Sequence, residues 1–266
     1  MPTRSNGVLT PLIVQYDPLT GVGVTRIEDA TGHMTRTPQH TAGMRLDAPT
    51  DQARLLTVSS PKGGVGKTTI TRGLLVRAAQ LGIPAVGVDF DPQLGLTKWG
   101  HQREKTRQSF PDFAKVEVRQ ASLDAWHTAL REAAADATLV IADTPPGVEA
   151  HMTSMLGLLR ASHYVIIPTG YTSDDLTSVM PWLHEMGRLR IRAAAALNRV
   201  LRRTKAFQAA RMRLIKVGPV MPLEVPLLED IHVYAEQGLS VLDVAKASGA
   251  EVFEALWDHT ARELDL

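Results

Sequence analysis

VSSPKGGVGKTT, residues 58–69, is the stretch on which the interpretation of the whole chain depends. An apolar run at residues 55–59 leads into it, and a helix-compatible run at residues 70–81 follows it. Glycines in such a strand-to-helix turn let successive backbone N–H groups point at one anion, and the helix N-terminus adds the positive end of its dipole. We therefore expect a mononucleotide-phosphate site. Its backbone groups belong to Gly63, Gly64, Val65, Gly66 and Lys67.

The side chains of this loop suit a nucleoside triphosphate with its metal ion. Lys67 can reach the terminal phosphates, the Thr68 hydroxyl can ligate Mg²⁺, and Thr69 is placed to contact the α-phosphate. The loop departs from the standard pattern, because Pro61 stands where glycine is usual and a second lysine, Lys62, precedes the double glycine. An ordinary glycine-rich turn would leave two lysines and two threonines at this spacing unexplained.

The composition restricts the class of protein. The 266 residues are 44% hydrophobic and 21% charged, a length and balance that allow one large core. No apolar run approaches the ~18 residues that span a bilayer, and the first residues lack the apolar segment of a signal peptide. Cysteine is absent, which excludes disulfides, a thiolate nucleophile and a cysteine-held metal or iron–sulfur cluster. We expect a cytoplasmic protein that does not associate with a membrane.

From residue 54 onward, apolar runs alternate with helical patterns, which predicts an α/β fold. The expected strands are residues 55–59, 85–89, 116–118, 139–142, 164–168 and 193–197. The expected helices are residues 67–81, 122–135, 149–161, 173–187, 204–217 and 250–264. This pattern is typical of a doubly wound, mostly parallel sheet with helices on both faces. Because ligands bind at the carboxyl ends of strands in such sheets, we expect one crevice to collect the polar residues that end several strands.

Residues 1–53 have a different pattern, and we treat them as an N-terminal extension of the domain at residues 54–266, which contains the phosphate loop. Residues 8–16 and 22–27 are typical of two short strands around a turn, which predicts a β-hairpin or meander followed by a linker. Two roles remain open for this extension: packing over an edge or surface of the sheet, or docking a partner or regulator.

Four later motifs follow the two-lysine loop in the chain. They are DFDPQ at residues 89–93, LVIADTPPG at 139–147, AALNR at 195–199, and the pair VP at 225–226 with AEQG at 235–238. Together with the loop, they resemble the deviant Walker A ATPases of the ParA/MinD family. The resemblance covers about residues 54–262 and identifies residues 139–147 as the Walker B strand.

The resemblance implies an enzyme that hydrolyses ATP with Mg²⁺ and forms a homodimer with ATP between the subunits. It assigns the metal site to Thr68, Asp89 and Asp143, with Asp143 acting through water. Asp91 would orient the attacking water. Lys62 would reach the nucleotide of the partner subunit, much as an arginine finger does, so hydrolysis is expected to depend on dimerisation. A ParB-like or cargo-adaptor protein is the implied activator.

The base end of the nucleotide is assigned, also by resemblance, to Asn198 and Pro226. The residues themselves leave alternatives open. Asn198 suits a turn almost as well as an adenine contact, and either Asp89 or Asp91 alone suits the cap of the next helix.

The charges are unevenly distributed, although the net charge is only +1. Residues 188–216 contain ten Lys/Arg and no acid, whereas residues 224–266 contain ten Asp/Glu and two bases. A basic run is usually a solvated face, but ten cations without one acid favour a surface for a polyanion. The residues that we expect to contact duplex DNA, without sequence preference, are Arg199, Arg202, Arg203, Lys205, Arg211 and Arg213.

Three functions compete at this point. The first is a partition-type ATPase that positions DNA or another cargo by ATP-dependent dimerisation on nucleoid DNA. The second is a MinD-like membrane-surface ATPase, but the last helix, residues 250–264, is acidic and would be repelled by anionic lipid. The third is a metabolic ATP-dependent enzyme or a tyrosine kinase; the former leaves Lys62 and the basic run without a role, and the latter lacks a tyrosine-rich tail. We predict the first.

Overall fold

The computed structural model describes residues 14–16, 23–25, 53–147 and 151–266. The chain divides into two compact units, Met1–Arg45 and Leu46–Leu266. In the first unit, strand β1 (Val14–Tyr16) pairs antiparallel with strand β2 (Gly23–Thr25). These strands fall inside the two segments where the sequence predicts strands. The other residues of those segments, and the expected linker, lie outside the described residues.

The second unit is built on a seven-stranded sheet in which all paired strands are parallel. Its strands are β3 (Arg54–Val58), β4 (Ala85–Asp89), β5 (Glu117–Gln120), β6 (Leu139–Asp143), β7 (Tyr164–Thr169), β8 (Ala193–Val200) and β9 (Val225–Pro226). Their order across the sheet is β5-β4-β6-β3-β7-β8-β9. The central strand β3 therefore lies between β6 and β7, and the phosphate-loop sequence emerges from its carboxyl end.

Helices pack on both faces of the sheet. They are α1 (Lys67–Gln80), α2 (Gly95–Ser109), α3 (Trp126–Asp136), α4 (Met152–Ala161), α5 (Ser173–Arg188), α6 (Lys205–Ile215), α7 (Asp230–Val233) and α8 (Ala250–Leu264). Helices α3 to α6 contribute to one apolar core, and α1, α2 and α8 contribute to the other. Consecutive strand residues alternate between these cores, as Leu55 and Leu56 do, because strand side chains point to opposite faces. The predicted doubly wound fold is confirmed.

The differences from prediction are local. Strand β5 begins one residue later than expected and extends to Gln120. The helix expected at residues 122–135 is instead a 3₁₀ turn, Leu123–Ala125, followed by α3. Helix α2 was not predicted at all: it begins after Leu94 in the left-handed conformation, has no acid in its first turn, and carries mostly polar side chains. Its start is fixed by a carboxylate from β4, which sequence periodicity does not show.

The four tryptophans of the chain are buried. Trp99 on α2 also donates from Nε1 to the carbonyl oxygen of Leu239 at 3.3 Å, which ties α2 to the C-terminal part of the chain. No helix in the part of the chain that the structure describes combines the length and the apolar character needed to cross a membrane.

Candidate nucleotide-binding site

The loop between β3 and α1 has the backbone that its glycines predict. Gly64 has φ 72° and Gly66 has φ 94°, a region that only glycine enters without strain. Both neighbouring segments hold the loop: the Ser59 N–H donates to the Ile166 carbonyl at 3.0 Å, and the Gly147 N–H donates to the Pro61 carbonyl at 3.1 Å. The loop is therefore anchored on β7 and on the segment that follows β6 before α1 begins.

A cleft of about 290 Å³ opens in front of this loop. Its lining consists of Gly63, Gly64, Gly66, Lys67, Thr68, Thr69, Asp91, Pro146, Arg199 and His232. Its volume lies near the lower end of the range for small-molecule sites. Most of the predicted phosphate-site residues thus share one concave surface, at the carboxyl edge of the sheet.

Thr68 and Asp143 meet at the base of the cleft. The Thr68 hydroxyl donates to Oδ2 of Asp143 at 2.7 Å, and the Thr71 hydroxyl lies 3.4 Å from Oδ1. Asp143 is 1% exposed, and burial raises its pKa to about 7, an effect that the Thr68 hydrogen bond opposes and the nearby Asp89 charge reinforces. A hydroxyl and a carboxylate that need a counter-charge suit a hard divalent cation. These two residues fit the expected Mg²⁺ site.

Asp89 forms hydrogen bonds within the protein. It is fully buried, and its Oδ2 accepts hydrogen bonds from the Thr97 N–H at 2.8 Å and the Thr97 hydroxyl at 2.9 Å. Its Oδ1 accepts from the Asp91 N–H at 3.1 Å. The helix-capping alternative thus describes what Asp89 does in the structure: it fixes the first turn of α2. Its role in the metal shell stays a prediction.

Asp91 lies on the cleft surface. Its Oδ1 accepts from the Gln93 N–H at 2.9 Å, which orients the carboxylate at the start of the turn that leads to α2. The Asp91 N–H donates to Asp89, so Asp89 helps to position Asp91. The Asp89 carboxylate supports the turn, whereas the Asp91 carboxylate faces the cleft. The assignment of water orientation to Asp91 stays a prediction.

The two lysines of the loop differ in their position relative to the cleft. Lys67 lines the cleft, and its Nζ donates to the Lys62 carbonyl at 3.4 Å. Burial lowers the pKa of Lys67, while Asp143 and Asp91 oppose that effect. The Lys62 side chain lines no part of the cleft and forms no ion pair with residues 53–147 or 151–266. Of the two lysines, only Lys67 therefore lines the cleft of its own subunit.

Asn198, at the end of β8, is bound to the phosphate loop. It is 2% exposed, and its Nδ2 donates to the Val65 carbonyl at 2.6 Å. Its Oδ1 accepts from the Arg199 N–H at 2.9 Å. The side chain therefore holds the loop, and the adenine contact stays a prediction. Pro226 lies in β9, opposite Val200, and is not part of the cleft lining.

Arg199 faces the cleft as well. Its φ is 57°, and its Nη1 donates to the Gly64 carbonyl at 3.1 Å. His232 on α7 is another lining residue; its pKa is lowered by burial and by the charges of Arg199 and Arg72. From the sequence, Arg199 is expected on the DNA surface, and His232 is not predicted to belong to the site. Arg199 ends the AALNR motif, but no motif marks His232, because only the folded chain brings α7 to the loop.

Two arginines lie against the ring of Trp99, an arrangement that the sequence does not predict. The guanidinium of Arg72 on α1 lies 5.8 Å from the centroid of the Trp99 ring, and that of Arg103 lies 5.5 Å from it. Arg103 forms a buried, two-point ion pair with Asp243, with distances of 2.8 and 2.9 Å. Burial lowers the pKa of Arg72, against the nearby charges of Asp143 and Asp89. This cluster ties α1 and α2 to the C-terminal segment.

The basic run is partly neutralised by acids from elsewhere in the chain. Three ion pairs account for this: Arg188 with Glu185, Arg192 with Glu263, and Arg202 with Glu224. Within the described residues, Arg203, Lys205, Arg211 and Arg213 form no ion pair. Their positions on α6 and the preceding loop leave a smaller basic surface than the sequence indicates.

Comparisons with known proteins also indicate a nucleotide-binding domain. The family model described as the CobQ/CobB/MinD/ParA nucleotide binding domain matches residues 56–241. An uncharacterized ATP-binding protein from Methanocaldococcus jannaschii is 24% identical over 221 residues, which cover 74% of this chain and 83% of that protein.

Two solved structures show the same fold. The MinC:MinD cell division protein complex of Aquifex aeolicus has a TM-score of 0.63 and 13% identity, covering 79% of this chain and 96% of that chain. Cobyrinic acid a,c-diamide synthase from Mycobacterium smegmatis, with bound ADP and magnesium, has a TM-score of 0.59 and 21% identity, covering 80% and 96%. At these identities the likeness concerns the fold alone. Because the family model spans the greater part of the chain, this protein belongs to the CobQ/CobB/MinD/ParA nucleotide-binding domain family.

Proposed function

We propose that this protein is a ParA-like partition or positioning ATPase. It hydrolyses ATP with Mg²⁺ as a dimer that encloses the nucleotide, and it binds duplex DNA without sequence preference. The observation that carries this proposal is the location of Lys62, a lysine of the phosphate loop that does not line its own cleft. A cation held beside the loop but outside the cleft is available to a nucleotide in a second subunit.

The chemistry follows from charge stabilisation. The loop amides would cradle the phosphates, Lys67 would neutralise the terminal ones, and Thr68 with Asp143 would hold the metal ion. When bound, Mg²⁺ would withdraw charge from the phosphoryl group that is transferred. Asp91, held by its backbone N–H on Asp89, would accept a hydrogen bond from the attacking water. The Lys62 of the partner subunit would add the last positive charge, so that turnover requires dimerisation.

Three variants test the sandwich mechanism. Lys67→Ala should abolish nucleotide binding, and Asp91→Ala should bind ATP and accumulate as the dimer. Lys62→Ala should bind ATP, remain a monomer and fail to hydrolyse it. Lys115→Ala is a matched control because this exposed lysine lies outside the cleft and forms no ion pair with the described residues. Turnover and mass by light scattering are the measurements, and normal turnover by a monomeric Lys62→Ala protein would exclude the mechanism.

The proposed DNA surface rests on the basic residues of α6 and the loop before it that form no ion pair with residues 53–147 or 151–266. Phosphate contacts release counterions, so the logarithm of affinity should fall against the logarithm of salt concentration with a slope of about −0.9 per neutralised phosphate. Replacing both Arg203 and Arg213 with Glu should weaken binding strongly and reduce the slope. Replacing Arg188, which belongs to the same run but pairs with Glu185, should change it much less. Salt-insensitive binding to unrelated duplexes would remove this part of the proposal.

The membrane alternative is weakened by the last helix. Apolar residues of α8, among them Phe253, Leu256 and Trp257, are buried against α1 and the sheet. Its acidic residues stand on the other face, so α8 itself offers no free apolar face to a bilayer. The metabolic alternative makes a different prediction: turnover would need a small acceptor molecule and would survive Lys62→Ala.

The remaining features belong to the proposal as well. We propose nucleoid association through α6, activation by a ParB-like or cargo-adaptor protein, and a docking or packing role for residues 1–53. A pull-down with Asp91→Ala protein and ATP, with and without residues 1–53, would identify which of these partners the extension contacts.

A further inference from the structure

We propose that Arg199 is a nucleotide-contacting residue of this cleft, which binds the phosphate chain from the same subunit and holds the loop that cradles it. The inference rests on the proposed function, since it concerns the same site. It assigns Arg199 to the nucleotide instead of the DNA surface that its position in the basic run suggests.

Two consecutive residues at the end of β8 hold two consecutive carbonyls of the phosphate loop. Asn198 donates to the Val65 carbonyl at 2.6 Å, and Arg199 donates to the Gly64 carbonyl at 3.1 Å. Hydrogen bonds to these carbonyls restrict how the adjoining peptide groups can rotate, and the N–H groups of those peptides are the ones that bind phosphate. The end of β8 therefore sets the shape of the loop.

The Arg199 guanidinium also has N–H donors that the bond to Gly64 does not use. An arginine carries five N–H donors in a fixed fork, and the bond to Gly64 uses one of them. The side chain is exposed and lines the cleft together with Lys67. Unlike Arg188, Arg192 and Arg202, it has no carboxylate partner among the described residues. A fork that is anchored on the loop and open to the cleft is suited to phosphate oxygens.

The backbone conformation does not account for an arginine at this position. Arg199 has φ 57°, a left-handed conformation that is unfavourable for any residue with a Cβ. Glycine would adopt it freely, so the backbone alone gives no reason for arginine here. Arg190 supplies a control within the same run: it is exposed, has the same φ of 57°, and lines no part of the cleft.

The experiment compares Ala and Gly at both positions. Affinity is measured without DNA, with fluorescent ADP and a non-hydrolysable ATP analogue, and stability is measured by thermal unfolding. Because both variants remove the guanidinium, Arg199→Ala and Arg199→Gly should each weaken binding by about 10- to 100-fold. Arg199→Gly should nevertheless unfold at a higher temperature than Arg199→Ala. Arg199→Lys should recover part of the affinity, and AMP binding should change less than ADP binding.

The two Arg190 variants should show the same order of thermal stability with unchanged affinity. If Arg199→Gly binds nucleotide as the wild type does, the side chain has no role in the site and the inference is overturned. The same holds if affinity changes only when DNA is present. A wild-type protein that binds nucleotide through Arg199 but neither hydrolyses it nor binds DNA would overturn the proposed function and leave this inference in place.

Discussion

Replacing Gly66 with alanine tests whether the phosphate loop is held by Asn198. A Cβ at this position would lie 2.0 Å from Nδ2 of Asn198, and the residue has φ 94°. The left-handed conformation costs alanine about 1–2 kcal/mol. Displacing the buried Asn198 amide from the Val65 carbonyl adds about 1–3 kcal/mol for the unsatisfied groups. We therefore expect a loss of about 2–5 kcal/mol in the free energy of unfolding.

For a unit of this size, that loss lowers the melting temperature by about 4–20 °C. Gly64→Ala is the matched control, because Gly64 has φ 72° in the same loop and no atom within 4 Å of an added Cβ. The control should show the conformational cost only. Urea unfolding gives the loss of unfolding free energy for each of the two variants. Nucleotide titration should show that Gly66→Ala loses binding as the Val65 peptide moves.

A double-mutant cycle isolates the contact. In the Asn198→Ala background the added methyl group meets no amide, so Gly66→Ala should cost about 1–3 kcal/mol less than it does in the wild type. Additive effects of the two substitutions, or equal losses for Gly66→Ala and Gly64→Ala, would show that the loop is not held in this way.

Two further predictions concern the frame around the site. Arg103→Met should lower the free energy of unfolding by about 3–5 kcal/mol, because it leaves the Asp243 carboxylate buried without its cation. Arg192→Met, which breaks an exposed pair, should cost less than about 1 kcal/mol in the same urea experiment, and equal losses would contradict the argument. Burial lowers the pKa of His163, whose Nδ1 accepts the Leu55 N–H at 2.9 Å, so the folded protein binds this proton less readily than the unfolded chain. Stability should therefore fall as the pH drops through about 6.5, and His163→Gln should show a shallower decline between about pH 8 and pH 5.

The sequence by itself determined the phosphate loop, the α/β alternation and the family. These features are local, because a glycine that needs a positive φ, a lysine beside it and an apolar run of strand length are all visible along the chain. Gly64 and Gly66 have the left-handed backbone expected of such a loop. The parallel sheet followed because strands separated by helices have few other ways to pair.

The tertiary structure alone decided what several polar side chains do. Both carboxylate oxygens of Asp89 accept hydrogen bonds from the turn that begins α2. Asn198 and Arg199 donate to carbonyls of the phosphate loop. Arg202 is paired with Glu224, although it belongs to a run without acids. A hydrogen bond forms between groups that meet in space, and spacing along the chain does not state which groups will meet. The residue types at the site were therefore readable from sequence, whereas their partners, and with them the shape of the cleft, required the fold.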